Sequence, residues 1–207
     1  MKRILSKIIA LTLLLAVGVA CLTACEYRAT SEPESQLINT ANYVVITLRD
    51  IGDVVIELDR NNAPETCKNF VRLATEGFYD GLTFHRVIAN FMVQGGDPKG
   101  NGTGGSGTNI KGEFYYNNHY NTLKHTRGVI SMARSNDYNS ASSQFFICVT
   151  DYPSLDGLYA SFGVVISGME HVDEIVTRTA HLATNGIVPK GDRVVIETVT
   201  ALETYNG

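Results

Sequence analysis

The feature that most restricts how this chain can fold is the recurrence of short apolar runs, each stopped by turn residues. Tyr43–Leu48 and Asp53–Leu58 are rich in Val and Ile and are separated only by Arg49-Asp50-Ile51-Gly52. β-Branched side chains lose rotamer freedom in a helix and pack well on a pleated surface, so this pair predicts a hairpin. Thr83–Ile88 and Phe91–Gln94 repeat the pattern about a tight Ala89-Asn90 turn, and Gly128–Ala133, Gln144–Val149, Phe162–Ser167 and Arg193–Leu202 extend it. Helical spacing is confined to two stretches. In Pro64–Glu76, Cys67, Phe70, Val71 and Ala74 fall at i, i+3, i+4 and i+7, with Pro64 suited to the first turn and Gly77 to the residue past the end. In Met169–Arg178, Val172, Ile175 and Val176 share one face. About eight strands with two helices and no βαβ alternation predict a mainly β domain, closed or built of two sheets.

The chain begins differently. Lys2, Arg3 and Lys7 precede an apolar run from Ile8 to Ala24, the order of a signal peptide. A spanning helix would need about 20 apolar residues and polar anchors beyond them. Leu22-Thr23-Ala24-Cys25 resembles a bacterial lipobox, which makes residues 1–24 a lipoprotein signal peptide and Cys25 the lipidated N-terminus. An ordinary secretory signal leaving a free Cys25 is the alternative, and Cys21 fits less well because Gly18 stands three positions before it. An anchor of two or more acyl chains holds stably. Residues 25–42 are polar, contain Pro33 and lack apolar periodicity, so they read as the lipidated cysteine and a flexible tether. The domain then occupies residues 43–207, enough for a real core. The expected location is extracytoplasmic, lipid-anchored to the bacterial cell membrane.

Removing residues 1–24 takes three positive charges and no acids from a formal net charge of −4. An acidic mature chain argues against nucleic acid as a partner. Cys67, on a predicted helix, and Cys148, on a predicted strand, read as buried thiols rather than a disulfide. His85, His119, His125, His171 and His181 form no metal-ligand spacing, and a structural role is the default for His125. The Gly-rich stretch from Gly95 to Gly112 lacks the order of a phosphate loop, and Ser142-Ser143 lacks a nucleophile elbow. No metal and no cofactor are expected, and stretches this long without strands or helices are usually functional or disordered.

Four pieces carry the chemistry: Phe84-His85-Arg86-Val87-Ile88, Phe91-Met92-Val93-Gln94-Gly95-Gly96-Asp97, Ser143-Gln144-Phe145-Phe146-Ile147 and Leu155-Asp156-Gly157. Each sets apolar side chains beside one polar group. In this order and spacing they resemble the cyclophilin family of peptidyl-prolyl cis-trans isomerases, over essentially the whole chain from Tyr43 to Thr204. The resemblance implies an eight-stranded antiparallel closed barrel capped by two α-helices. It implies Arg86, Phe91 and Gln94 as catalytic residues, and Met92, Gly102, Thr103, Ala133, Arg134, Gln144, Phe146, Leu155 and Tyr159 as substrate-binding residues. Gln94 is expected to hydrogen-bond Arg86 or the substrate backbone, and Gly102-Thr103-Gly104 to line the groove for residues before the proline. His85 and Arg86 point to opposite faces of a strand, so an inward His85 leaves Arg86 facing the groove.

Three positions depart from the family's best-known pattern. Ser154 stands where a tryptophan is typical, which lowers the expected affinity for cyclosporin. Tyr159 stands for a histidine, and Arg134 for an asparagine. The implied activity is isomerisation of X–Pro bonds in proline-containing peptides and unfolded exported proteins, by a monomer. Two rivals are a noncatalytic peptide-binding or chaperone lipoprotein on the same fold and a surface adhesin that reuses it.

Overall fold

The computed structural model describes residues 36–206. The signal segment 1–24, Cys25 and the tether as far as residue 35 lie outside the described residues. Residues 36–40 form a short helical segment, and Arg60 donates from Nε to the Ala41 carbonyl at 2.6 Å and from Nη2 to that of Ile38 at 3.1 Å. From Ile38 onward the chain forms one compact unit.

Eight strands make one antiparallel sheet: β1 (Tyr43–Leu48), β2 (Gly52–Leu58), β3 (Arg86–Ile88), β4 (Met92–Gly95), β5 (Val129–Met132), β6 (Phe145–Cys148), β7 (Ser161–Ser167) and β8 (Ile196–Leu202). Their order is β3-β4-β6-β5-β7-β2-β1-β8. The sheet curls, and its edge strands β3 and β8 do not share a ladder among the described residues. Their flanks meet instead: Thr83 bridges Val195, Phe84 N–H donates to the Val194 carbonyl at 3.0 Å, and Ile196 N–H donates to that of Leu82 at 2.8 Å. The expected closed barrel is therefore observed as a curled half-barrel whose ends touch. The same bonds explain why β3 is shorter than the Thr83–Ile88 run, since residues 83–84 face the β8 side rather than β4.

Two long helices pack on the sheet, α1 (Pro64–Thr75) against β8 and β7, and α2 (Met169–Thr179) against β2, β3 and β4. Phe70 of α1 is the hub of the core. Its ring stacks on Tyr79 at 4.8 Å and meets Phe145 edge-on at 5.4 Å and Phe162 at 5.2 Å. The buried Tyr79 hydroxyl donates to the Ser143 carbonyl at 3.2 Å, so its polar end is satisfied. Gly77 ends α1 as its position predicts: it takes φ +66°, its N–H donates to Ala74, and the Phe78 N–H donates to Leu73. Cys67 and Cys148 are free and buried, and burial pushes both thiols up to about 12.

The start of α1 has no capping side chain of its own, because Ala63 occupies the N-cap. Glu113, 2% exposed, supplies it from a distant loop. Its carboxylate accepts the Glu65 N–H at 3.1 Å, the Thr66 N–H at 2.8 Å and the Thr66 hydroxyl at 2.6 Å. An anion suits a helix N-terminus, where unpaired N–H groups and the helix dipole both favour negative charge. Glu113→Ala leaves those donors buried and unpaired. It is expected to cost about 2–4 kcal/mol in urea unfolding, with Glu113→Gln losing less because the amide oxygen still accepts.

Candidate active site

Strand register builds the site. Arg86 pairs with Gln94 across β3 and β4, Gln94 with Phe146 across β4 and β6, and Phe146 with Ser131 across β6 and β5. Residues directly opposite share a face, so these four side chains form one row. The next row on that face holds Ile88, Met92 and Cys148. The alternating residues Val87, Val93 and Ile147 are buried on the other face, as is His85, while Arg86 is half-buried.

The row opens into a pocket of about 210 Å³. Met92 and Phe146 form its buried floor, with Cys148 behind them. Phe91, Leu155, Tyr159 and Ala133 are partly buried walls, and Arg86, Gln94 and Arg134 supply the polar edge. A second pocket of about 410 Å³ adjoins it, lined by Gly102, Thr103, Gly104 and Gln144 together with the shared Gln94, Ala133 and Arg134. The residues singled out in the sequence thus divide between two neighbouring cavities. Ser154 is exposed in the turn Pro153–Leu155 and lines neither. Tyr152, unremarked in the sequence, packs its ring 4.3 Å from that of Phe91.

A directed chain of hydrogen bonds joins the two pockets. Arg86 Nη1 donates to Gln94 Oε1 at 3.1 Å, and Gln94 Nε2 donates to Gln144 Oε1 at 2.9 Å. Gln144 Nε2 then donates to the carbonyls of Gly102 at 3.1 Å and Gly104 at 2.8 Å. A guanidinium only donates and a carbonyl only accepts, so the two ends dictate how both amides are turned. Gln94 meets Arg86, as expected.

The loop at the far end is wound around Asp97, 2% exposed, which accepts the N–H groups of Lys99 at 2.8 Å, Asn101 at 2.9 Å and Gly102 at 2.6 Å. A Cβ on residue 104 would collide with the Asp97 carboxylate, so only glycine fits there. Burial pushes the Asp97 carboxyl up, but the N–H groups of Lys99, Gly102 and Asn101 outweigh it and hold it below its ordinary value. The sequence placed Asp97 at the end of a motif piece and gave it no role of its own. An Asp opening a Gly-rich loop is the available signal, because its side chain bonds backbone N–H groups a few residues on.

His125 lies beneath Phe146, the rings 6.0 Å apart and nearly parallel. Its Nδ1 is 3.1 Å from Asp156 Oδ1 and its Nε2 is 3.0 Å from the Ser131 hydroxyl. Burial lowers the imidazole's pKa more than Asp156 raises it, whereas the His125 N–H and ring hold Asp156 low against its own burial. The pair is therefore neutral imidazole and carboxylate, with Nδ1–H donating to Asp156 and Nε2 accepting from Ser131. Ser131 and His125 are 0% and 1% exposed. This Asp-His-Ser series supports the pocket floor, and its hydroxyl has no access to a substrate. Among the described residues no cluster of three His, Cys, Asp or Glu side chains could hold a metal.

Comparison with known proteins identifies the relatives of this chain. Residues 43–201 match the family model described as cyclophilin type peptidyl-prolyl cis-trans isomerase/CLD. A peptidyl-prolyl cis-trans isomerase of Helicobacter pylori is 46% identical over 144 residues, covering 69% of this chain and 84% of its own. The isomerase ppi1 of Schizosaccharomyces pombe is 48% identical over 120 residues, covering 58% and 76%. A crystal structure of a Cryptosporidium parvum cyclophilin type isomerase, in the presence of the dipeptide Ala-Pro, superposes with a TM-score of 0.69 at 33% identity, covering 78% of this chain and 99% of that one.

The buried ionisable groups make stability acid-sensitive. Among the described residues His85 makes no well-formed hydrogen bond through either ring nitrogen, and burial lowers its pKa below 6.5 despite the pull of Asp97 and of the Thr83 backbone. Below pH 6.5 the unfolded imidazoles of His85 and His125 take up protons that the folded ones resist, so stability falls as pH drops through that range. Asp97 and Asp156, held below 3.8, add a further loss as pH falls through and below that value. Chemical unfolding between pH 7 and 5 is expected to lose up to about 1.4 kcal/mol per pH unit for each histidine. His85→Phe should flatten that slope, and an unchanged slope would clear His85 of a role in it.

Proposed function

Because the chain belongs to the cyclophilin-type peptidyl-prolyl cis-trans isomerase family, we propose that its 210 Å³ pocket holds the proline ring of an X–Pro segment while Arg86 donates to the prolyl nitrogen. The enzyme is a peptidyl-prolyl cis-trans isomerase. Its reaction breaks no covalent bond. The barrier, about 18–20 kcal/mol, is the amide resonance lost when the bond twists. In the twisted state the nitrogen becomes pyramidal and gains a lone pair. A donor aimed at that lone pair stabilises the transition state more than the planar ground state, and only that difference raises the rate.

The observation that carries this reading is the state of Arg86. It belongs to no ion pair among the described residues, is held by a neutral amide, and stands at the edge of an apolar cavity. A carboxylate partner would have spent its charge, whereas Gln94 aims it and leaves it whole. The apolar floor of Met92 and Phe146 suits the ring's methylenes, and the wider neighbouring pocket suits the chain that precedes it.

Exported or unfolded proteins are the clients we infer, with the protein acting as a monomer tethered outside the cytoplasm through lipid on Cys25. The basic start, apolar run and Leu22-Thr23-Ala24-Cys25 support this part. Labelling with a palmitate analogue should mark the wild type and not Cys25→Ala, which should be released from the membrane fraction.

Arg86→Ala is expected to lower kcat/KM for a short X–Pro peptide at least tenfold, about 1.4 kcal/mol of transition-state stabilisation. Melting should be little changed, because Arg86 is half-buried and its chief partner is an amide. Arg86→Lys should recover part of the rate through its charge but not the fork geometry. A folded wild type without acceleration would favour a noncatalytic peptide-binding role, and an Arg86→Ala variant as fast as wild type would remove Arg86 from the mechanism.

A further inference from the structure

Arg134 stands on the boundary between the two pockets and lines both. Three aromatic rings hold its guanidinium, with centroids 4.6 Å away at Tyr159, 4.9 Å at Tyr138 and 5.1 Å at Phe114. Three hydrogen bonds complete the hold: Nε and Nη2 donate to the Leu158 carbonyl at 3.0 and 2.9 Å, and Nη1 donates to that of Ser135 at 2.8 Å. Every one of these partners is neutral. A guanidinium has five N–H donors, so one on each Nη stays uncommitted. Arg134 belongs to no ion pair among the described residues, and the nearby Asp137 carboxylate accepts the Asn139 N–H at 2.8 Å instead.

Among the described residues lining the larger pocket, Arg134 is the only charged one. The pocket's remaining polar lining comes from Thr103, Ser135, Ser140, Ser142 and the two glutamines. The hydroxyls are already engaged: Ser135 with Ser140 at 2.8 Å and Thr103 with Asn101 at 2.7 Å inside their own loops, and Ser142 with Ser106 of the facing loop at 2.9 Å. Gln144 spends both its N–H groups on carbonyls. The pocket thus offers one cation, fixed in place and uncompensated, with no carboxylate to repel an anion.

We propose that this 410 Å³ pocket is a subsite for an acidic side chain of the substrate, with Arg134 receiving its carboxylate. The inference rests on the isomerase reading of the adjoining pocket. The cavities share Gln94, Ala133 and Arg134, and consecutive Cα atoms are about 3.8 Å apart. A chain with its proline in one cavity therefore places a residue within about three positions of it in the other. The rings and carbonyls have already ordered the guanidinium in folding, so pairing loses little further side-chain freedom. Two N–H groups, one on each Nη, are left to receive a carboxylate.

The test compares kcat/KM for peptides that differ only in one residue, Glu, Gln or Lys, placed at each of three positions on either side of the proline. At low salt the wild type is expected to prefer Glu over Gln about fivefold or more at one position, and over Lys by more. In Arg134→Gln the Glu-to-Gln ratio falls to about one, whatever happens to the absolute rates. A purely structural strut would slow Glu and Gln peptides by the same factor and preserve the ratio, which overturns the proposal. So does a wild-type ratio of about one at every position. If Arg134→Gln does not fold, salt decides with the wild type alone: a ratio carried by charge shrinks by half or more toward 0.5 M salt, about a 4 Å Debye length, and a salt-independent ratio overturns it. If no peptide is accelerated, the isomerase reading fails by itself. The subsite is then judged by NMR titration of the same peptides, with tighter binding of Glu than Gln supporting it and equal binding overturning it.

Discussion

Met92, Val93 and Gln94 pair with β3 on one side and β6 on the other, and the alternation along β4 organises the molecule around the pocket. Val93 lies between Val87 and Ile147 on the core side, so Gln94 must stand between Arg86 and Phe146 on the opposite one. A shift of that strand by one residue would expel the buried Val93 and turn the Gln94 amide into the core. The hydrophobic core therefore enforces the placement of the polar site without touching it. The meeting of β3 with β8 belongs to the same logic. It covers part of an edge that a three-residue strand would otherwise leave open.

The polar groups around the pocket are arranged by what each can donate or accept. Asp97 gathers N–H groups and shapes the loop, the loop turns two carbonyls toward Gln144, and two amides pass that polarity to Arg86. Beneath the floor, Asp156 selects the tautomer of His125, which accepts from Ser131 under the Phe146 ring. Each carboxylate is spent locally on backbone N–H groups or an imidazole. Neither Arg86 nor Arg134 meets one, and both remain charged where a ligand would lie. That separation of acids from arginines is the electrostatic character of this face, on a chain that is acidic as a whole.

Much of this was legible one residue at a time. The Val- and Ile-rich runs located the strands, the i, i+3, i+4, i+7 pattern located α1, and Gly77 marked its end, because these signals depend on neighbours a few residues away. Alternation along Phe84–Ile88 was enough to put His85 and Arg86 on opposite sides. Strand ends were less accurate: the run from Thr83 enters β3 only at Arg86, since its first residues are claimed by the β8 flank. Glu113 as the cap of α1, Asp97 as the centre of its loop and the shelf of His125 under Phe146 were not apparent. Each acts through a contact whose partner is distant in the chain or whose purpose lies in another element.

The sequence by itself determined the class of fold, the family and the residue types offered to the pocket. Those rest on local periodicity and on motif spacing, which are properties of the linear chain. The tertiary structure alone decided that the pocket and the groove share Gln94, Ala133 and Arg134, and that the sheet's edges touch without a shared ladder among the described residues. It also decided that Arg134 is caged by Phe114, Tyr138 and Tyr159 with its charge unspent. The physical reason is that burial, hydrogen-bond partnership and charge compensation are set by which distant segments meet, and strand register, not sequence distance, brings them together.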